Sequence, residues 1–91
     1  MNDIVIIGNG GFAKEVAFLI EEVNNKQNQF NILGFISNRQ SDVGKVHGKY
    51  KVYNTDDWLL KTRIKLNVAF GLGDTELLYT LYTEFSKNKN L

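Results

Sequence analysis

Residues 3–24, DIVIIGNGGFAKEVAFLIEEVN, decide the architecture of this chain. A β-branched run, Ile4-Val5-Ile6-Ile7, leads straight into Gly8-Asn9-Gly10-Gly11-Phe12-Ala13, and a helical pattern follows at once. Strand, glycine turn and helix N-terminus in that order form a geometry in which backbone N–H groups converge on an anion such as a phosphate. Gly8 permits the tight turn, and Gly10 lets an anionic group approach the main chain with no Cβ in the way. Gly11 adds a further unhindered N–H, and Ala13 is small enough for the helix to lie close on the strand. The spacing is G-x-G-x-x-A, informative because the strand before it and the helix after it are both legible. The alternative is a glycine turn that only packs a βα unit and binds nothing.

Working outward, the first helix is predicted over residues 11–24. Phe12, Ala13, Val16, Leu19, Ile20 and Val23 recur at helical spacing and predict a broad buried stripe. Lys14, Glu15, Glu21 and Glu22 fall on the water side, where Phe18 is an isolated aromatic. Residues 24–29 are a polar connector, and residues 30–36 (FNILGFI) read as a second strand covered on both faces. A loop over residues 37–42 lies beyond its C-terminal end, the sheet edge at which ligands sit in open parallel sheets. Lys51-Val52-Tyr53 predicts a minor strand. Thr55 is a good N-cap for a short helix whose apolar face is Trp58, Leu59 and Leu60; Asp56 and Asp57 complement its dipole rather than form an acid pair. Residues 66–70 (LNVAF) predict a third substantial strand, ending in Gly71-Leu72-Gly73-Asp74. A helix pattern over residues 75–87 follows, with Leu77, Leu78, Leu81 and Phe85 on its inner stripe. Strands alternating with helices predict an α/β fold of three layers with a short, mostly parallel sheet, its two glycine junctions opening on one edge.

Composition bounds the function. The 91 residues are expected to make a single domain over positions 1–91. A formal net charge of +1, with acids and bases interspersed, gives no footprint for a nucleic-acid backbone. No apolar run is long enough to span a bilayer, and the start lacks the features of a signal peptide, so a cytoplasmic location and no membrane partner are expected. Cysteine is absent, which excludes disulfides, thiolate metal sites and cysteine nucleophiles. Metal-ligand spacing and a nucleophile-elbow motif are absent as well. His47, the one histidine, has no carboxylate beside it in sequence and reads as an exposed loop residue rather than a general base.

A redox dinucleotide domain needs an acid at the end of the second strand for the ribose. That place holds Ile36-Ser37-Asn38, and no carboxylate follows until Asp42, well into the loop. Arg39 could meet a 2′-phosphate, but the chain lacks the length for a second mononucleotide half. An NAD(P)- or nucleotide-binding regulatory module is therefore the alternative reading.

Three motifs, IIGNGGFAKEV near the N-terminus, LGFISN at the second strand and VAFGLGD before the last helix, resemble the N-terminal domain of the PglD/NeuD-like sugar O- and N-acyltransferases. The resemblance covers nearly the whole chain and implies a small Rossmann-like domain that binds a nucleotide sugar, commonly a UDP-amino sugar. It also implies a following left-handed β-helix of hexapeptide repeats that trimerises, binds acetyl-CoA and carries the catalytic histidine. None of those repeats lies in these residues, and a chain stopping directly after a βα unit is expected to be part of a longer protein. On this resemblance Gly10, Gly11 and Phe12 lie by the diphosphate, with Gly8, Asn9 and Ala13 as further substrate-binding candidates of the same turn, and Ser37 and Asn38 fall where the family often has acids that read the base. Gly71, Leu72, Gly73 and Asp74 line the other wall.

The chain departs from the family pattern where Phe12 replaces a frequent histidine and where Ser37-Asn38 replaces an acidic pair, although the Asn38 amide retains a donor and an acceptor for a base edge. The expectation is a substrate-binding domain with no catalytic residue, no metal and no cofactor of its own, inactive alone. Acetyl-CoA and homotrimer formation belong to the full-length enzyme. A structural α/β domain that packs on a partner through Phe18, Tyr79 or Tyr82 is a third, weaker reading.

Overall fold

Ile4-Val5-Ile6-Ile7 shows no polar alternation because both faces of its strand are covered. The structure is a computed structural model and describes residues 2–8, 10–71 and 88. In chain order the elements are β1 (Asn2–Ile7), α1 (Gly11–Lys26), β2 (Phe30–Ser37), a 3-10 turn (Gln40–Asp42), β3 (Val46–His47), β4 (Tyr50–Thr55), α2 (Asp56–Lys61) and β5 (Asn67–Phe70). They build one sheet in the order β3-β4-β2-β1-β5. β1 pairs in parallel with β2 and with β5, and β2 pairs in parallel with β4; β3 is antiparallel to β4 at the edge.

The pleat sends alternate β1 side chains to opposite sides. Ile4 and Ile6 meet Ala13, Ala17 and Ile20 of α1, together with Phe35 and Val52. Val5 and Ile7 meet Ile36, Leu66 and, from α2, Leu59. Helix, sheet and helix are thus the three layers of the expected α/β fold, consistent with a small Rossmann-like domain. Helix α2 begins where Thr55 caps it, the hydroxyl accepting from the Trp58 N–H at 3.3 Å. At its other end the Asn88 side-chain amide donates to the carbonyls of Leu59, Leu60 and Thr62 at 3.0–3.1 Å. Position 88 therefore lies on the α2 side of the sheet. The helix predicted over residues 75–87, with Tyr79 and Tyr82, lies outside the described residues.

Several expectations are corrected. Helix α1 runs on through Asn25 to Lys26, and the side chain of Asn24 ties the turn that follows: Nδ2 donates to the Phe30 carbonyl and Oδ1 accepts from the Gln29 and Phe30 N–H groups. The buried face of α1 is Ala13, Ala17 and Ile20; Phe12, Leu19 and Val23 are 49%, 61% and 44% exposed. At the start of the helix the inner residue is small because Ala13 stands directly against Gly71. Residues 43–53 are better ordered than their glycines suggest, forming the β3–β4 hairpin, and His47 is a half-buried strand residue rather than a loop residue. Its ring stands edge-on to Phe35 at 6.2 Å between centroids, and its Nε2 is buried without a hydrogen-bond partner among the described residues.

Gly34 has a structural duty of its own. Its φ is +143°, and a Cβ there would collide with the Lys51 carbonyl and crowd the Tyr53 Cβ at 3.1 Å. The β1–β2 register jumps between Ile4↔Ile32 and Val5↔Gly34, which leaves Leu33 as the extra residue of a bulge.

Candidate functional site

The parallel strands β1, β2, β4 and β5 end on one edge, where Gly8, the end of β2 and Gly71 meet. Gly8, with φ 101°, extends the pairing beyond β1 by donating its N–H to the Ile36 carbonyl at 2.8 Å. On the other side Gly71 donates its N–H to the Ile7 carbonyl, also at 2.8 Å. The turn is therefore stitched between the ends of β2 and β5 by main-chain bonds.

Helix α1 starts in this notch. Gly10 is its N-cap, in extended conformation, with no side-chain cap and no acid in the first turn. A helix N-terminus leaves several N–H donors without intrahelical partners and carries partial positive charge. Gly10, Gly11 and Phe12 are exposed, and among the described residues a Cβ built on Gly10 or Gly11 meets nothing within 4 Å.

Ala13 and Gly71 play a different part. Both are buried, and a Cβ on Gly71 would come within 2.7 Å of the Ala13 Cα and 2.8 Å of its Cβ. Their close approach sets how near the start of α1 lies to the end of β5. Asn9, Leu72, Gly73 and Asp74 lie outside the described residues.

At the end of β2 the two sequence candidates divide. Asn38 is exposed. Ser37 is buried, and its hydroxyl is engaged twice, donating to Asp42 Oδ2 at 2.7 Å and accepting the Arg39 N–H at 3.1 Å. Asp42 also accepts from the Lys45 ammonium at 3.1 Å. The Ser37 hydrogen bond and then that from Lys45 hold the Asp42 carboxyl below its ordinary range, so it stays ionised at neutral pH. Linear spacing sets this acid well into the loop, but the 3-10 turn folds it back onto the strand end. A signal was present: Ser37 sits where a hydroxyl accepts from the N–H two residues on, a turn that reverses the chain toward Asp42.

Two depressions lie elsewhere. One of about 470 Å³ beside α2 includes Gln40, Asn54, Thr55, Trp58 and Arg63 in its lining. A groove of about 450 Å³ between α1 and the β3–β4 hairpin holds Phe18 and His47 and is spanned by the Lys49–Glu21 ion pair at 3.0 Å. The glycine turn lines neither of them.

A family model described as the PglD N-terminal domain matches residues 3–85. The chain belongs to that family. The match associates this PglD N-terminal domain with PglD-type acetyltransferases, and it spans all three segments that meet at the sheet edge. No curated protein matches the chain. Among the described residues of this PglD N-terminal domain, no helix is long and apolar enough to cross a membrane, and no group of three or more His, Cys, Asp or Glu side chains could hold a metal ion.

Proposed function

We propose that this PglD N-terminal domain binds the nucleotide-sugar substrate of an acetyl-CoA-dependent sugar acetyltransferase, with a UDP-amino sugar as the expected ligand. The observation that carries the reading is the uncapped start of α1 at Gly10-Gly11-Phe12, exposed beside the ends of β2 and β5, with none of the described residues at the Cβ positions of its two glycines. A diphosphate at that position would accept from main-chain N–H groups and meet the positive end of the helix dipole. Asn38, exposed at the neighbouring strand end, offers a donor and an acceptor to the base. Acetyl-CoA, the general base for acetyl transfer and the trimer contacts are assigned to the rest of such an enzyme.

The test is an amide NMR titration with UDP, UDP-N-acetylglucosamine, NADH and acetyl-CoA. UDP compounds are expected to shift the amides of residues 10–13 and 71–74, whereas acetyl-CoA shifts little. Gly10→Val should abolish the response while the fold survives. Gly10 has φ −87° and ψ −165°, which a side chain tolerates, and none of the described residues stands at its Cβ position. Shifts confined to NADH would favour a dinucleotide module, and silence at both glycine turns would refute the proposal.

A further inference from the structure

A carboxylate at the end of the second strand is the group that accepts a ribose hydroxyl when a nucleotide lies along a glycine turn of this kind. The chain has no acid on β2 itself, yet three observations bring one to that place. Phe35 packs in the α1-side core, so the strand pleat turns Ser37 toward the same face. Val43, next to Asp42, also packs on the α1-side cluster. The Ser37 hydroxyl then holds Asp42 Oδ2 at 2.7 Å, while the Gly8 N–H bond to the Ile36 carbonyl keeps the glycine turn beside the strand end.

We propose that Asp42 accepts the ribose 2′-hydroxyl of the nucleotide whose diphosphate lies at Gly10-Gly11-Phe12, with Ser37 as its positioning residue. The inference rests on the nucleotide-binding reading above and names the atom that reads the sugar ring. An ionised carboxylate has about four lone-pair directions. Ser37 takes one on Oδ2 and Lys45 one on Oδ1, leaving others free on a side chain that is 17% exposed. Ser37 itself is buried and doubly engaged, so it contributes orientation rather than contact. A 2′-hydroxyl would donate to Asp42, whereas a 2′-deoxy ring has nothing to donate and a 2′-phosphate would be repelled.

The experiment compares UDP with 2′-deoxy-UDP by calorimetric titration of the unaltered protein, Asp42→Asn and Ser37→Ala. The unaltered protein is expected to prefer UDP by about tenfold or more, the scale of a hydrogen bond to a charged acceptor. Asp42→Asn should bring the two affinities close to equality by weakening UDP alone, and Ser37→Ala should shrink the preference without abolishing it. In the unaltered protein the Asp42 side-chain carboxyl ¹³C resonance should move with UDP and stay in place with 2′-deoxy-UDP, a readout that does not depend on how the variants fold. Equal binding of the two nucleotides, or an undiminished preference in Asp42→Asn, overturns this assignment while leaving nucleotide binding intact. Binding of neither nucleotide overturns the nucleotide reading and this assignment with it.

Discussion

Gly71→Ala tests whether the site's spacing is set by close packing. Gly71 does not have a positive φ, so alanine meets no backbone strain there. At such a position the exchange would ordinarily stabilise the protein by about 0.4–1 kcal/mol, by reducing the freedom of the unfolded chain. Here the new methyl would come within 2.7 Å of the Ala13 Cα, 2.8 Å of its Cβ and 3.0 Å of Ile6 Cγ2. None of these belongs to the end of a long, flexible side chain, and overpacking of this kind costs about 1–3 kcal/mol. The steric effect should win, by up to about 2.6 kcal/mol, lowering the thermal midpoint by up to about 21 °C at about 4–8 °C per kcal/mol. Thermal and urea unfolding followed by circular dichroism read this directly. An Ala13→Gly background removes the methyl of residue 13 but leaves its main chain in the way, so Gly71→Ala should cost less there than in the unaltered protein. The amides of residues 10–12 should also shift as the start of α1 is pushed outward. An unchanged or raised midpoint, or strict additivity of the two exchanges, would refute the reasoning.

Thr55→Ala should lower stability by about 0.5–2 kcal/mol, toward the low end because the capping bond is 3.3 Å long, while Thr55→Ser keeps most of the loss from appearing in a urea melt. The ion-paired groups give a signed pH dependence. The Asp42 carboxyl is held below its ordinary 3.8, chiefly by Ser37, so that contribution is complete above 3.8 and fades as pH falls through the lower folded value. The Lys49 ammonium is held above its ordinary 10.5 by Glu21, so its contribution is complete below 10.5 and fades as pH rises through the higher folded value. Melts of Ser37→Ala and Lys49→Ala against the unaltered protein should therefore converge at opposite ends of the pH range.

The layers were legible because their signals are local. An unbroken apolar run at Ile4-Val5-Ile6-Ile7 implies a strand buried on both sides, and Thr55 announces the helix it caps. The face of α1 was legible in part: Ala13, Val16 and Ile20 of the expected stripe pack on the core. Ranked by hydrophobicity, Phe12, Leu19 and Val23 outweigh Ala13 and Ala17, yet the alanines are buried and the larger side chains exposed. What decides this is angular position: at about 100° per residue Ala13, Ala17 and Ile20 share one narrow face, and Phe12, Leu19 and Val23 stand about 80–120° away on its flank. Gly34 was not legible: within FNILGFI it looks like a weak point in a strand, and only the Lys51 carbonyl on the neighbouring strand explains why a side chain is excluded.

The same division runs through the site. The glycine turn could be recognised from its residues because it presents main chain, and the absence of side chains is written in the sequence. A side chain's role depends instead on where its neighbours put it. Ser37 occupies the position from which a nucleotide would be read, but burial and two hydrogen bonds engage its hydroxyl within the loop. Asp42 is five residues further on, yet its carboxylate stands 2.7 Å from that hydroxyl. Position along the strand therefore identifies the residue that orients, and the fold-back identifies the one with lone pairs left to offer. On that physical ground, replacing Ser37 should disturb recognition indirectly and by degree, whereas removing the charge at Asp42 should remove it at the sugar ring outright.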